Sequence, residues 1–481
     1  MKRFLAAALL TLFVLPSFAQ QTTPPAPAAP REAKIPQPVE RTLDNGLRVI
    51  VVPKHDIPLV AARLLFRAGS AADPKSREGL ASLTATVLTK GTKTRSAEEI
   101  SRGVEALGAT LSSDAGYDSS VLDLSVMSVN FAKAMAFLAD AARNPTFKQD
   151  ELDRERQQVL DELQLTLREP RPLASIVMAR LLYGDAPYGH NVSGLPSSLE
   201  KIARADLTKF HTSWYRPNNA VLVIGGDVEA DAAFALAQSL FGSWPRGTLP
   251  AVTAKPAKTP AQRVVVVDLP DAGQAAVLIG RPGIRRADPA YLQAMVANSV
   301  LGGGYSSRLN QEIRIKRGLS YGAGSSFSPR VDAGPFTAST QTKNESAAEV
   351  AGIIVGELGK LSTAAVSDAE LTPRKAVLIG GFAQSLERSS GLVDEISDLA
   401  LYGMPLSNIN HYIAGVQGVT AADVQKVAGT SMTGRDATIV VVGNAKAFIE
   451  PLKAQYKDVE VIGIDELDVA SPTLRVRKAK R

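Results

Sequence analysis

An internal repeat constrains the fold of this 481-residue chain more than any other feature of its sequence. The stretch ARADLTKFHTSWYRPNNAVLVIGGDV begins at residue 203, and TAADVQKVAGTSMTGRDATIVVVGNA begins at residue 420. Each copy reads as a helix opened by an Asp/Thr-type cap, followed by a β-branched strand that ends in glycine. The repeat predicts two copies of one structural unit. Three matched pairs lie 217 residues apart without a gap: Asp206 and Asp423, Lys209 and Lys426, Gly226 and Gly443.

The segments before these copies match more loosely. Residues 46–70 and 263–283 both read as two strands around a turn that contains proline or glycine. Long helical stretches follow in each half, and FAKAMAFLADAARN and AAEVAGIIVGELGKL have the apolar spacing of amphipathic helices. Strands and helices therefore come in blocks, which favours an α+β fold with helices packed on a mostly antiparallel sheet.

The segment from Trp244 onward is rich in proline, lysine and threonine and reads as a linker between the two copies. We therefore divide the chain into an N-terminal domain at 38–243, a linker at 244–262 and a C-terminal domain at 263–470. The last residues, 471–481, form a basic tail, which we interpret as solvated.

The N-terminus indicates export. Lys2-Arg3 precedes the short apolar run FLAAALLTLFVLP and the small-residue site around Ala19, the pattern of a secretory signal peptide at 1–19. Residues 20–37 are rich in Pro, Ala and Gln and read as a tether. The mature protein is expected to be exported, most simply to a bacterial periplasm. No apolar run is long enough for a membrane span.

Composition excludes several kinds of protein. The net charge is only +6, and no basic cluster alternates with aromatic residues, so we expect no nucleic-acid binding. The chain has no cysteine, which rules out disulfides, thiolate metal sites and a cysteine nucleophile. The sequence has neither a G-x-S-x-G elbow nor a Walker phosphate loop. The glycine-rich LGGGY at 301 reads as a tight turn before a helix.

Several motifs together resemble the pitrilysin/insulinase family of metallopeptidases, the inverzincins, over nearly the whole mature chain. The resemblance implies two homologous α/β sandwich domains that form a half-clamshell. The motifs are LDNGLRVIVV at 43, AGSAADP at 68, GLA…LTKGT at 79, ERQQVLDEL at 155, YRPNNAVLVIGGDV at 215 and LGGGYSSRLNQEIRIKRGLSYGAGS at 301.

The metal motif of that family is degenerate here. Active members carry H-x-x-E-H, whose two histidines bind zinc while the glutamate activates a water. Ser82, Ala85 and Thr86 stand at those three positions. Glu162 matches the family's third ligand and Glu155 its supporting acid. One carboxylate does not hold zinc, so we expect no metal in this chain and interpret both acids as a solvated helix face.

A replacement metal site is not expected either. The four histidines, His55, His190, His211 and His411, are too far apart in the sequence to form a metal motif. Isolated histidines of this kind are usually surface or packing residues.

The second half retains the family's other functional pattern. The resemblance implies that Arg314 and Tyr321, seven residues apart, form a pair that faces the metal from the opposite domain. An arginine fork can bind a peptide carbonyl or carboxylate, and a tyrosine hydroxyl can stabilise an oxyanion. The alternative is a helix-end charge and an exposed strand aromatic. Gly318 reads as the residue that ends the preceding helix, and Arg317 as a helix-end charge.

These observations favour a non-catalytic subunit of a heterodimeric zinc peptidase. Such a subunit lends Arg314 and Tyr321 to a homologous partner chain that carries H-x-x-E-H and the zinc. The substrate class implied is a short or unfolded peptide, added as a strand to a sheet edge of the partner. Two alternatives remain: a peptidase-like scaffold or binding protein without a catalytic role, and a cryptic peptidase that acts alone.

Overall fold

The structure is a computed structural model that describes residues 35–251 and 262–476. The predicted signal peptide, nearly all of the tether, part of the linker and the end of the basic tail lie outside the described residues. The domain boundaries stay predictions. The prediction of a solvated tail is wrong for its described start, because Leu474 is fully buried and the Arg475 guanidinium lies 2.8 Å from the Glu466 carboxylate.

The described residues contain twelve strands in two six-stranded sheets. The first sheet has the order β1-β2-β6-β3-β5-β4 and the second β12-β7-β11-β8-β10-β9. The strands are β1 (Val39–Thr42), β2 (Arg48–Pro53), β3 (Leu59–Phe66), β4 (Thr110–Ala115), β5 (Ser120–Met127), β6 (Ala220–Gly226), β7 (Val264–Asp268), β8 (Ala275–Pro282), β9 (Ser320–Phe327), β10 (Pro335–Thr342), β11 (Thr438–Gly443) and β12 (Val459–Gly463).

Sixteen α-helices accompany these strands in the same part of the chain. They are α1 (Leu80–Leu88), α2 (Ala97–Ala106), α3 (Phe131–Arg143), α4 (Gln149–Thr166), α5 (Pro170–Tyr183), α6 (Pro196–Leu199), α7 (Arg204–Trp214), α8 (Ala230–Phe241), α9 (Tyr291–Leu301), α10 (Arg308–Asn310), α11 (Ala347–Thr363), α12 (Asp368–Glu387), α13 (Ser389–Leu401), α14 (Asn408–Gly418), α15 (Ala421–Ser431) and α16 (Ile449–Gln455).

The two sheets share a five-strand topology, β2-β6-β3-β5-β4 and β7-β11-β8-β10-β9, which confirms the two α+β units predicted from the repeat. They differ in the sixth strand: β1 pairs antiparallel with β2, whereas β12 pairs parallel with β7. In each sheet, an antiparallel strand pair (β3 with β5, or β8 with β10) extends to an antiparallel edge strand, β4 or β9. The repeated strand, β6 or β11, lies between a parallel and an antiparallel neighbour. Both repeated strands are buried along their whole length. Near-continuous runs of Val, Ile and Leu are typical of strands covered on both faces.

The two halves exchange one helix each. Helix α5 of the first half packs on the second sheet, where Val177 belongs to the same buried cluster as Val265 and Val440. Helix α13 of the second half packs on the first sheet, where Ile396 joins Ile50. Each sheet is thus covered by its own helices on one face and by the other half's helix on the opposite face. This exchange buries apolar surface from both halves and holds them together.

The caps of the repeated helices differ between the two copies. In α15, Thr420 accepts from the Asp423 amide at 3.2 Å, and the Asp423 carboxylate accepts from the Thr420 amide at 2.8 Å. In α7 the equivalent cap is Ala203, which has no side-chain acceptor, and only the Asp206 carboxylate contributes, accepting from the Ala203 amide at 2.9 Å. The prediction of an Asp/Thr-type cap is therefore fully met only in the second copy.

None of the described helices is by itself long and apolar enough to cross a membrane. Two consecutive helical segments, Asn344–Thr363 and Asp368–Glu387, are bent by 105° relative to each other. Taken together, they meet the length and composition of a membrane span.

Candidate functional site

Helix α1 carries the degenerate metal motif, and Asp73 anchors the N-terminus of this helix. The Asp73 carboxylate accepts from the amides of Gly79 and Ala81, both at 2.8 Å. Burial raises the pKa of Asp73, and the neighbouring His190 opposes this rise. Gly79 has φ +95°, and a Cβ there would lie 2.8 Å from the carbonyl oxygen of Ser193. Glycine is needed at this position both for its left-handed backbone and for the close approach.

The three motif positions offer no metal ligand. The Thr86 hydroxyl donates to the Ser82 carbonyl at 3.0 Å, the back-bond that threonine commonly makes inside helices. Ala85 is fully buried in the core of the first half. A glutamate there would have to enter a packed apolar cluster, which costs several kcal/mol for an unpaired carboxylate.

The two retained acids of α4 have different environments. Glu162 is exposed, which agrees with its interpretation as part of a solvated helix face. Glu155 does not agree with it, because only 5% of Glu155 is exposed. Its carboxylate lies 3.1 Å from the Lys90 ammonium and 3.2 Å from the Arg154 guanidinium. The prediction of a solvated Glu155 is wrong, since a lysine just beyond α1 supplies the positive charge that allows the carboxylate to be buried.

Zinc does not fit these residues. Structural and catalytic zinc sites use three or four nitrogen, sulfur or carboxylate ligands. The motif positions present a methyl group and two hydroxyls, and the buried acid is already neutralised by Lys90. Within residues 35–251 and 262–476, no group of three or more histidine, aspartate or glutamate side chains is placed to hold a metal ion.

The four histidines lie in separate environments. His211 is buried, its Nε2 lies 2.8 Å from the Ala142 carbonyl oxygen, and burial lowers its pKa to about 4. The exposed His55 pairs with Asp227 at 2.8 Å, and that hydrogen bond raises the pKa of the imidazole. His190 lies 3.8 Å from Asp73, and His411 is exposed.

Arg314 and Tyr321 lie on either side of the turn that leads into the edge strand β9. Arg314 is in a π-type helical turn, Gln311–Ile315, which continues α10. Gly318 ends it with φ +62°, as predicted, and its amide donates to the Arg314 carbonyl at 3.0 Å. Tyr321 then stands near the start of β9 with 91% of the residue exposed. Arg317, predicted as a helix-end charge, pairs with Glu312 at 2.6 Å.

The glycine-rich loop between α9 and α10 covers the outer edge of β9. The Ser325 amide donates to the Gly302 carbonyl at 3.1 Å, and the Ala323 amide donates to Asn310 Oδ1 at 3.3 Å. These two amides would otherwise be free to pair with an added strand. Gly302 allows this contact, because a Cβ there would lie 2.2 Å from the Ser325 nitrogen. The loop is therefore more than the tight turn predicted from LGGGY.

Helix α12 braces the same loop. Arg308 binds Glu370 through two hydrogen bonds of 2.8 Å, and the Arg374 guanidinium binds the hydroxyl and carbonyl of Ser306. Bidentate arginine–carboxylate pairs fix geometry as well as contribute energy. These residues were not predictable from the sequence, because their partners are 62 and 68 residues away in the chain.

Arg314 and Tyr321 line one open cleft of about 750 Å³, together with Tyr305 from the glycine-rich loop. The Arg314 guanidinium carbon lies 4.9 Å from the centre of the Tyr305 ring, a cation–π distance. The structure thus brings the two predicted residues to one surface. That surface is built from β9, β10, the loop and the first turn of α5.

The chain has two repeated α+β units, a metal-motif helix without ligands and a cleft in the second unit. These features define the class of metallopeptidase-like proteins that have lost the metal centre. A family model described as "Insulinase (Peptidase family M16)" matches residues 48–192, and one described as "Peptidase M16 inactive domain" matches residues 201–378. The chain belongs to peptidase family M16, and it is an inactive homologue within that family.

Related proteins cover most of the chain. An uncharacterized zinc protease of Mycobacterium tuberculosis is 29% identical over 406 residues, which is 84% of this chain and 92% of the relative. A protein named a non-peptidase homolog, from Helicobacter pylori, is 25% identical over 403 residues, 83% of this chain and 92% of the relative.

Solved structures show the same fold. The crystal structure of a peptidase M16 inactive domain from Pseudomonas fluorescens has a TM-score of 0.80 at 28% identity and covers 84% of this chain and 98% of its own. A protease from Helicobacter pylori has a TM-score of 0.81 at 24% identity, covering 85% of this chain and all of its own.

Proposed function

We propose that this chain is the non-catalytic subunit of an exported heterodimeric zinc peptidase. In this proposal it supplies Arg314 and Tyr321 to a homologous chain that carries H-x-x-E-H. The partner holds the zinc, and the substrate is a short or unfolded peptide. The signal-peptide pattern at 1–19 supports export to the periplasm.

One observation carries the proposal: Tyr321 is 91% exposed and lines the same cleft as Arg314. Large aromatic side chains are normally buried, since each can bury 150–250 Å² of surface. A tyrosine left in solvent beside an arginine at an open cleft is better explained by contact with another molecule than by packing.

The two side chains have complementary tasks in this proposal. The guanidinium of Arg314 offers a planar donor fork to a carbonyl or carboxylate of the peptide. The Tyr321 hydroxyl donates a hydrogen bond to the oxyanion that forms when a scissile carbonyl is attacked. Because Tyr321 is near the start of β9, the braced glycine-rich loop fixes the strand that positions it.

The covered edge of β9 supports the placement of the substrate strand on the partner. The Ala323 and Ser325 amides are already bonded, so this edge offers few free donors for an added strand. Strand addition needs a row of unpaired amides and carbonyls. This chain is therefore suited to contacting side chains and the reacting carbonyl, while the partner holds the peptide backbone.

A reconstitution experiment tests the proposal. The first partner to try is an H-x-x-E-H chain encoded by a neighbouring reading frame. Each chain alone is expected to leave an unstructured fluorogenic peptide uncut, while an equimolar mixture cleaves it and elutes as one complex on gel filtration. A complex that forms without any gain in cleavage would instead favour the scaffold alternative. Chelator-sensitive cleavage by this chain alone would favour the cryptic peptidase.

A further inference from the structure

The cleft of Arg314 and Tyr321 continues along the second sheet into a further groove of about 310 Å³ beneath α5. Five residues line both parts, so the two form one channel. The shared residues are Arg171, Ser326, Thr337, Ser339 and Thr340.

The floor of this channel is polar and made of small side chains. Along β10, the partly exposed Thr337, Ser339 and Gln341 alternate with the buried Phe336 and Ala338. This period-2 pattern places the hydroxyls on the face turned away from the core of the second half. Such a floor provides hydrogen-bond donors and acceptors without steric obstruction to an extended ligand.

The charged residues of the channel are all arginines. Arg171, Arg314 and Arg330 line it, and no aspartate or glutamate does. Among the described residues, no ion pair with N···O within 4.0 Å includes any of these three guanidinium groups. Positive charge that no ion pair neutralises attracts anionic ligands to such a channel.

Arg330 is held in place at the far end of the channel. Its guanidinium carbon lies 3.6 Å from the centre of the Tyr117 ring and 4.6 Å from that of Tyr188. Its Nη1 is inaccessible to solvent and has no hydrogen-bond partner. The buried Nη1 cannot reach a ligand, but an arginine fixed by stacking loses little entropy when the part of its guanidinium that lines the groove binds a planar anion.

Arg171 occupies an unfavourable position for the helix on which it lies. It is the second residue of α5, where the helix dipole favours acidic rather than basic side chains. The N-cap residue is Glu169, and the Leu173 amide already donates to its carbonyl at 3.1 Å. A bound anion beside Arg171 would offset its unfavourable charge, so this arginine is better suited to ligand binding than to stabilising α5.

We propose that Arg171 and Arg330 bind a carboxylate of the substrate peptide, and so make acidic peptides the preferred ligands of this chain. This inference rests on the proposed function, because it takes the ligand of the cleft to be a peptide. The carboxylate is either the free C-terminus or an Asp or Glu side chain, and the peptide body runs along the hydroxyl floor toward Arg314 and Tyr321.

Fluorescence anisotropy on the full chain, without any partner, tests this. Three fluorescein-labelled probes share one unstructured Gly/Ser/Ala decapeptide body. One has a free C-terminal carboxylate, one is amidated and carries a single Glu, and one is amidated and carries Gln instead. At least one carboxylate probe is expected to bind about tenfold more tightly than the neutral probe, because charged hydrogen bonds to arginine have that magnitude. The carboxylate probe that binds more tightly shows whether the chain recognises the free C-terminus or the Glu side chain.

Substitutions assign the preference to the two arginines. Arg171→Gln, at an exposed position, is expected to reduce the preference to about threefold or less, and Arg171→Gln with Arg330→Gln to abolish it. Arg435→Gln removes an exposed arginine outside the channel and should leave the preference unchanged. If loss of the tyrosine stacking prevents Arg330→Gln from folding, Arg330→Lys takes its place. Lysine keeps the positive charge, and this variant should retain only part of the preference for carboxylate probes.

Equal binding of all three probes, or a full preference in Arg171→Gln, would overturn the inference. This failure differs from failure of the proposed function. If the reconstituted heterodimer cleaves peptides but this chain shows no preference for carboxylate probes, the proposed function stands and the inference fails. If this chain prefers carboxylate probes but activates no partner, the carboxylate site stands and the proposed function fails.

Discussion

The guanidinium of Arg314 lies over the ring of Tyr305, with 4.9 Å between the guanidinium carbon and the ring centre. Tyr305 comes from the glycine-rich loop and Arg314 from the helical turn that follows it, so the stack joins the two walls of the cleft. An arginine held in this way presents its donor fork in one direction instead of sampling many rotamers.

Tyr305→Leu is therefore expected to weaken substrate binding while leaving the chemical step largely intact. Exposed cation–π contacts are worth about 0.5–1 kcal/mol, which corresponds to a rise of about two- to fivefold in KM. Steady-state kinetics of the reconstituted heterodimer measure it. Tyr305→Phe keeps the ring and should have the KM of the wild type. Equal changes in KM for Tyr305→Leu and Tyr305→Phe would show that the aromatic ring does not position Arg314.

Gly302→Ala tests whether the glycine-rich loop packs closely against the outer edge of β9. The added Cβ would lie 2.2 Å from the Ser325 nitrogen, so the loop has to move away and release that amide. Overpacking of this kind typically costs about 1–3 kcal/mol, and urea unfolding should register that loss. Gly304→Ala is the matched control, because nothing lies within 4 Å of a Cβ at Gly304. A Gly302→Ala chain as stable as Gly304→Ala would contradict the close contact.

Metal analysis tests the loss of the metal centre. The purified chain, dialysed after loading with zinc, is expected to retain no stoichiometric zinc, since Ser82, Ala85 and Thr86 provide no ligand. Ser82→His with Thr86→His introduces two imidazoles at i and i+4 on one helical face, so weak zinc binding is the expected gain. About one chelator-removable zinc per wild-type chain would contradict this account.

The stability of the chain should fall in mild acid because of His211. The folded state lowers the pKa of His211 from 6.5 to about 4, so the neutral ring is the form that folding favours. Its contribution is fully present above pH 6.5 and is lost as pH falls from 6.5 toward 4; it amounts to roughly 3 kcal/mol.

Urea unfolding of the wild type and His211→Gln across this range measures the effect. The variant is less stable at neutral pH but should lose less stability on acidification, because glutamine does not titrate. His411→Gln removes an exposed histidine and should follow the wild-type profile. Parallel profiles for the wild type and His211→Gln would show that His211 is not responsible.

Local and repeated features of the fold were predictable from the sequence. The 217-residue repeat predicted two equivalent units because the same pattern of caps, β-branched runs and terminal glycines recurs. Gly318 was recognisable because few residues other than glycine adopt the left-handed backbone at a helix end. The two positions Arg314 and Tyr321 came from the family resemblance, and the structure places both on one cleft.

Features that depend on distant partners were not predictable. The burial of Glu155 requires Lys90, which comes from a different helix region. The exchange of α5 and α13 depends on which sheet face each apolar helix meets, and periodicity does not identify the partner surface. Likewise, the β9 edge is closed by Gly302 and Asn310, whose contacts join segments that look like ordinary turns in the sequence.

The central claim is that Tyr321 takes part in the partner's chemistry, and Tyr321→Phe tests it most directly because it removes only a hydroxyl. The measurement is kcat of the reconstituted heterodimer, with gel filtration to confirm that the complex still forms. Loss of one oxyanion donor is expected to lower kcat by about 10²–10³. If kcat of an intact complex with Tyr321→Phe stays within about twofold of the wild type, the oxyanion role is excluded and the scaffold alternative is favoured.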